Sequence, residues 1–278
     1  NKNMLLINIG GGVITDLGSF CASLFLRGVN FINIPTTVLG MVDAAIGGKN
    51  GVNFSSFKNY IGVINQPAQV IIHHQFLQTL PEKEVLSGFA EMLKHGLVNN
   101  QMHFNGLSQL NNKDLGNELS DVLLLASSSI KLNIVTEDIH DAAVRRLLNF
   151  GHTIGHAIES VFMGKVSHGE AVAAGMFCEA IISFNKKLLS KEDRDCVIDC
   201  IKKYYSKTEL IKTIDLEKLA TQLNKLSNYK LSKGVKYKSD YGAINSWVVK
   251  EWKKEKSSAK KESLTASEAL DRAVYGNS

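Results

Sequence analysis

His152 and His156 stand four apart in the phrase GHTIGHAIE, and His168 follows in HGEAV. Side chains four apart share one face of a helix. Glu91, in GFAEMLKHG, adds a carboxylate on a predicted helix. Three or four such groups bind Zn2+ or a similar cation and leave one position open for a substrate oxygen. Spacing alone makes His152 and His156 the natural ligand pair. The plainer reading of any single histidine is a helix cap or a satisfied polar group in the core. It fits the set of four less well.

A second group is cationic. Lys49, Lys58, Lys94, Lys131, Arg145 and Arg146 fall in or beside apolar stretches. Cations so placed suit an anionic substrate, and arginine suits bidentate recognition of phosphate or carboxylate. Any one lysine is equally a solvated surface charge. Asp43, Asn59 and Asn149 lie near these cations and could read hydroxyls. A third feature is Gly10-Gly11-Gly12, followed by Val13-Ile14-Thr15-Asp16. Glycines between a strand and a helix let the backbone approach a pyrophosphate at the helix N-terminus. A turn that merely links strand to helix would look the same.

The elements that must position these groups change in kind along the chain. Met4 to Ile9 (MLLINI), Phe31 to Pro35 (FINIP) and Gln69 to His73 (QVIIH) read as strands, with a helix over Asp16 to Leu26. Strands alternating with helical stretches predict a parallel α/β sheet. From Pro81 onward the spacing is helical: Glu84 to Val98, Leu119 to Thr136, Gly151 to Phe162, Gly169 to Leu188 and Lys191 to Tyr204. No proline follows Pro81. The expected architecture is a partial Rossmann-like α/β sheet over residues 1–80, then an all-α helical domain over 81–224. A basic tail over 225–278 completes it, with a possible helix from Ala243 to Lys256 and a polar remainder expected to be disordered.

Composition excludes some classes. The 44% hydrophobic content is that of a globular protein. No apolar run approaches the roughly 18 residues that span a bilayer, and no stretch reads as a signal peptide. The chain is expected to be cytoplasmic with no membrane partner. Cys21, Cys178, Cys196 and Cys200 form no CxxC pair, which predicts reduced thiols. Residues 1–224 carry a net charge of −1 and residues 225–278 a net of +6, and both tryptophans lie in the latter. A shift this abrupt suggests a boundary.

Taken in order, the phrases GGGVITD, RGVNFINIPTTVLGMVDAAIGGKNGVN, FKNYIG, FLQTLPEKE, GFAEMLKHGL, RRLLNFGHTIGHAIE and HGEAVAAGM resemble the dehydroquinate synthases across residues 4–185. The resemblance implies roles residue by residue. Gly12, Val13, Ile14, Thr15, Asp16, Thr36, Thr37, Phe76, Leu77, Gln78 and Thr79 match NAD-contacting positions. Lys49 and Lys58 match lysines lining the cofactor and substrate site. Glu91, His152 and His168 match three ligands of Zn2+ or Co2+, which leaves His156 as a substrate contact, against the spacing argument. Asp43, Asn59, Lys94, Lys131, Arg145 and Asn149 match the substrate pocket. Arg27 matches an arginine that reaches the phosphate of a neighbouring subunit's substrate, which implies a homodimer.

The chemistry so implied turns a phosphorylated sugar acid, 3-deoxy-D-arabino-heptulosonate 7-phosphate, into 3-dehydroquinate. NAD+ oxidises one ring hydroxyl to a ketone, which acidifies the neighbouring C–H. Phosphate leaves by elimination, itself serving as the base, and the same NADH returns the hydride. The ring then opens and closes as a carbocycle. The cation polarises the reacting hydroxyl, and NAD is regenerated each turn.

Three departures from the family pattern bear on this. The family has a segment before the glycine turn that supplies further strands and NAD contacts, so a truncated sheet with a bare edge and exposed apolar faces is expected. An acidic-Lys-Lys phrase near the family's C-terminus is absent. Asp141 stands where the family usually has Glu, beside an atypical Ile139 and His140. The tail phrase NYKLSKGVKYKSDYGAINSWVVKEW resembles a segment of phage-type replication proteins, which would allow nucleic-acid or partner binding. Two alternatives follow: another sugar phosphate cyclase, forming 2-deoxy-scyllo-inosose or aminodehydroquinate, or an inactive fragment whose tail is the binding element.

Overall fold

The computed structural model describes residues 4–54, 57–139, 143–162, 165–213 and 215–233. Asp141 and the tail from residue 234 onward, including the helix expected over Ala243 to Lys256, lie outside the described residues.

The chain opens with β1 (Leu5–Gly10), helix α1 (Gly12–Leu24) and β2 (Asn30–Pro35). β1 and β2 run parallel, with Leu5 opposite Asn30 and Ile9 opposite Ile34. β2 buries alternate positions, Phe31, Asn33 and Pro35, and Phe31 lies against Ala22 and Val29. Polar groups inside the sheet are paired: Asn8 Nδ2 donates to Asn33 Oδ1 at 2.8 Å, and Ser19 Oγ to the same oxygen at 3.2 Å. Gly18 lets α1 settle here, since a Cβ would lie 1.9 Å from Asn8 Oδ1.

A hairpin follows: β3 (Lys49–Phe54) and β4 (Phe57–Ile64) pair antiparallel, and β5 (Gln69–Val70) then adds to the far side of β2. The parallel sheet has the order β1-β2-β5. The reading of parallel strands therefore holds, and β5 is shorter than the five residues expected. The hairpin is an addition. Its sequence, KNGVNF and FKNYIGVI, is rich in glycine and asparagine and lacks the apolar run that marks a buried strand. β1 stands at the sheet edge, with Leu5, Ile7 and Ile9 each more than half exposed.

The remaining described elements are helical: α2 (Glu82–Asn99), α3 (Gln101–Ser108), α4 (Leu115–Glu118), α5 (Asp121–Glu137), α6 (His152–Phe162), α7 (His168–Asn185), α8 (Lys191–Tyr205), α9 (Glu209–Thr213) and α10 (Leu216–Lys233). Caps fix several starts. Ser120 accepts from Leu123 N ahead of α5, and Ser167 and Glu170 form a reciprocal capping box ahead of α7. α10 runs on to Lys233, past the boundary expected at 224. One apolar cluster joins Val38, Met41, Val42 and Leu77 to Phe89, Met92, Leu93, Leu124, Val172 and Met176. The helices are thus packed directly on the loop that leaves β2. All four cysteines are free, with Cys178 and Cys200 buried. Among the described residues no helix is long and apolar enough to cross a membrane.

Candidate metal centre and its cationic surround

Glu91 lies in the buried middle of α2, fully shielded from solvent. Its Oε1 is 3.2 Å from His168 Nε2 and 3.3 Å from His152 Nε2. Zinc bonds of 2.0–2.2 Å in tetrahedral geometry imply ligand–ligand edges of about 3.3 Å. Two of the three edges match that value, and the three donor atoms all lie within 4.8 Å of one another, as ligands of one divalent cation would. Each histidine is held from behind. His152 Nδ1 faces Phe150 O at 3.2 Å, and His168 Nδ1 faces Glu159 Oε1 at 3.4 Å.

α7 comes close to α2 because residue 169 is glycine. A Cβ there would sit 2.3 Å from Ser87 O. His168 is thereby carried to Glu91. His156 shares the α6 face with His152, as its spacing predicts, and the two ring centroids lie 5.3 Å apart. It is exposed and gathers with Glu159 and His168, while Glu91 gathers with His152 and His168. The geometry favours the Glu91, His152 and His168 set that the resemblance implies over the pair that spacing suggests. Helical spacing sets the shared face, but the approach of α2 and α7 selects which imidazole meets the carboxylate.

Burial by itself would raise the Glu91 carboxyl. Lys94, His152 and His168 outweigh it and hold the group well below the usual carboxylate range. Burial would lower His168, but Glu159 and Glu91 push it up to about 10. Lys94 Nζ pairs directly with Glu91 Oε2.

Around this centre lies a buried polar network. Lys131, on α5, donates to Asp43 O at 2.6 Å and meets Asp43 Oδ1 at 2.8 Å. Lys94 Nζ and His95 Nε2 stand 3.9 and 3.8 Å from the same Oδ1. Burial pulls Asp43 upward, but Lys131 and Lys94 prevail and keep it ionised below the normal range. Burial lowers Lys131 despite Asp43. Lys94 and Lys131 are thus buried charges, not the solvated surface that a lone lysine suggests.

Arg145 is buried on the turn before α6, where it donates to Ile139 O at 3.0 Å and Gly47 O at 3.4 Å. Arg146 and Asn149, on the same turn, are exposed, as is Lys49 on β3. Lys58 and Asn59 fall on β4, and their side chains lie outside the described residues. Arg27 follows α1 with φ of 64° and is exposed. The 13 residues of α1 span about 20 Å, so Arg27 and Asp16 sit at opposite ends of that helix.

Gly12, Val13, Ile14 and Thr15 form the first turn of α1 and Asp16 opens the next, with Gly11 as an N-cap lacking a side chain. Such a start leaves backbone N–H groups for an anion. Burial raises Asp16 to about 7, with Lys131 opposing and Asp43 assisting, so this turn is electrostatically joined to the buried network. Thr36 N donates to Gly10 O, and Thr37 Oγ1 accepts from Gly40 N. Phe76, Gln78 and Thr79 are exposed, whereas Leu77 points into the main core.

Sequence reasoning passed over three polar residues of this region. His95 is fully buried, with Nδ1 2.9 Å from Ser127 Oγ. Its position four after Glu91 was an available signal. Glu159 is seven after His152, on the same stripe of α6. Glu179 accepts from Gly151 N at 2.9 Å and fixes the turn before His152. It lies on α7, a placement no local spacing announces.

Comparison with known proteins gives consistent matches. The family model described as 3-dehydroquinate synthase N-terminal matches residues 1–87, and that described as 3-dehydroquinate synthase C-terminal matches residues 88–228. A 3-dehydroquinate synthase of Parabacteroides distasonis is 42% identical over 208 residues, covering 74% of this chain and 59% of that protein. One from Saccharolobus solfataricus is 49% identical over 179 residues, covering 63% and 50%. Among solved structures, 2-epi-5-epi-valiolone synthase of Streptomyces hygroscopicus, with NAD+ and Zn2+ bound, superposes with a TM-score of 0.67 at 30% identity. That match covers 72% of this chain and 56% of the other. A 2-deoxy-scyllo-inosose synthase complexed with carbaglucose-6-phosphate, NAD+ and Co2+ gives a TM-score of 0.67 at 28% identity, covering 78% and 58%. The chain thus spans half to three-fifths of the length of the relatives it matches.

Proposed function

This chain belongs to the 3-dehydroquinate synthase family, and we propose that it carries that family's reaction. The substrate is 3-deoxy-D-arabino-heptulosonate 7-phosphate and the products are 3-dehydroquinate and phosphate. NAD+ and Zn2+ or Co2+ serve as cofactors, since one of the two solved relatives holds NAD+ with Zn2+ and the other NAD+ with Co2+. The observation that carries the reading is the meeting of Glu91, His152 and His168 beside buried Lys94 and Lys131.

When bound, the cation supplies Lewis-acid polarisation of a substrate hydroxyl, and NAD+ accepts and then returns the hydride. The chain's own residues do the rest. Glu91, His152 and His168 hold the cation. The first turn of α1, Thr36, Thr37 and the 76–79 segment receive the dinucleotide. Lys94 and Lys131 present positive charge in a water-poor setting, where it acts strongly on an anionic substrate. Lys49, Arg145, Asn149 and His156 complete the substrate pocket, with Asp43 orienting Lys131. Arg27, displayed at the far end of α1, is assigned to the phosphate bound by a second copy, so the working form is a homodimer. Residues 1–80 act as the dinucleotide side and 81–224 as the metal and substrate side.

The test is phosphate release from the heptulosonate phosphate by the chain supplied with NAD+ and Zn2+. Release that disappears in Glu91→Gln is expected. No release from metal-loaded protein would sink the assignment, and a preference for glucose 6-phosphate would move it to an inosose synthase.

A further inference from the structure

His168 presents its two ring nitrogens to two different carboxylates. Nε2 faces Glu91 Oε1 at 3.2 Å, and Nδ1 faces Glu159 Oε1 at 3.4 Å. We propose that Glu159 is a positioning residue for the metal centre: it accepts a hydrogen bond from Nδ1–H of His168, fixes the tautomer that leaves Nε2 free as a ligand, and strengthens that ligand. This rests on the metal reading above.

The argument starts from imidazole. A neutral ring carries one proton, so a ring whose Nε2 lone pair binds a cation must keep its proton on Nδ1. That proton needs an acceptor. A carboxylate acceptor orients the ring and makes its other nitrogen more basic, and loss of such an outer partner weakens metal binding by about 10–100-fold. Glu159 is well placed for this. Its side chain is only 13% exposed, so solvent screens the contact weakly. His152 differs: its Nδ1 faces the neutral carbonyl of Phe150 at 3.2 Å. The two imidazoles of the centre are therefore unequal, and His168 is the stronger donor.

The placement also links two helices. α6 begins with His152 and carries Glu159 two turns later, while His168 begins α7. One helix thus supplies a ligand and steers the ligand of its neighbour. Glu159, His156 and His168 also bring one potential ligand atom each within 4.8 Å of one another. The rival role for Glu159 is that of a direct ligand to a second cation.

The experiment titrates Zn2+ and Co2+ into the full chain and its Glu159→Ala and Glu159→Gln forms. Visible spectra of the Co2+ forms and thermal unfolding of the metal-free proteins are recorded alongside. Glu159→Ala is expected to lose about 10–100-fold in affinity and to shift the Co2+ absorption, with metal-free unfolding unchanged. Glu159→Gln keeps a neutral acceptor and should fall between. If the alanine form does not fold, the glutamine form carries the test. An affinity and a Co2+ spectrum equal to wild type in the glutamine form would then overturn the proposal. Two equivalents bound by wild type and one by the Glu159 variants would overturn it too, by making Glu159 a ligand. Wild-type protein that binds neither metal would defeat the metal reading itself, whereas normal binding in both variants defeats only the role of Glu159.

Discussion

Lys131 Nζ meets both the backbone oxygen and the carboxylate of Asp43, at 2.6 and 2.8 Å, and so ties α5 to the turn after β2. The two residues are 88 positions apart. One side chain thereby couples the sheet-bearing part of the chain to its helices.

Lys131→Met keeps most of the side-chain volume but strands the Asp43 charge. Breaking one partner out of a largely buried pair costs about 3 kcal/mol. A fall of that order in the unfolding free energy, read from the shift of the urea midpoint, is expected. Asp43→Asn in the same background should recover part of it, because the orphaned charge is then gone. Strict additivity of the two substitutions would show that the contact carries no coupling.

Asp16 gives a pH dependence with a definite sign. Burial lifts its carboxyl from the ordinary 3.8 to about 7 in the folded chain. The unfolded chain therefore releases this proton first as pH rises. The stabilising contribution is complete below about 4, declines between there and 7, and is absent above. Asp16→Asn does not titrate, so its melting temperature relative to wild type should rise by a few degrees from pH 5 to 8. A constant difference across that range would contradict the buried, proton-bearing state of Asp16.

Much of this centre could be read from the residues. Cations set in apolar stretches pointed to Lys94 and Lys131, and both prove buried. The glycine turn and the parallel strands were visible as strand-to-helix punctuation. Spacing failed where tertiary approach decides the outcome. It favours His156 as a ligand, whereas the phrases on either side of His168 and its approach to Glu91 favour His168. The β3–β4 hairpin stays hidden because glycine and asparagine interrupt its strands and so leave no clear alternation. Glu159 and Glu179 were missed because their partners, His168 Nδ1 and Gly151 N, are set by the crossing of α6 and α7.

Metal content separates the two histidine assignments. Wild type should bind about one Zn2+ tightly, and Glu91→Gln, His152→Ala and His168→Ala should each lose most of that affinity. His156→Ala should keep the metal and lose turnover. Elemental analysis after dialysis against a weak chelator reads this directly. Metal lost from the His156 variant and kept by the His168 variant would restore the pairing that spacing suggested.

Gly169 sets how closely α7 can approach α2, and the same substitution elsewhere shows why context decides its sign. A Cβ on Gly169 would lie 2.3 Å from Ser87 O and 2.4 Å from Ser87 Cα, both backbone atoms that no rotamer change can move. Gly169→Ala must push the helices apart, and overpacking of this kind costs about 1–3 kcal/mol. His168 begins the same helix turn, so the shift also draws its Nε2 away from Glu91. A drop in Zn2+ affinity of at least about tenfold should accompany the lower melting temperature, since ligand placement tolerates only a few tenths of an ångström. Ser87→Ala offers no relief, because the clash is with the main chain. Gly106, exposed on α3 with nothing within 4 Å of a Cβ, is the control. There alanine removes backbone freedom from the unfolded chain at no steric cost, and a gain of about 0.5–1 kcal/mol is expected. Equal effects of the two substitutions on melting temperature, or unchanged metal binding in Gly169→Ala, would show that this helix contact does not govern the geometry of the centre.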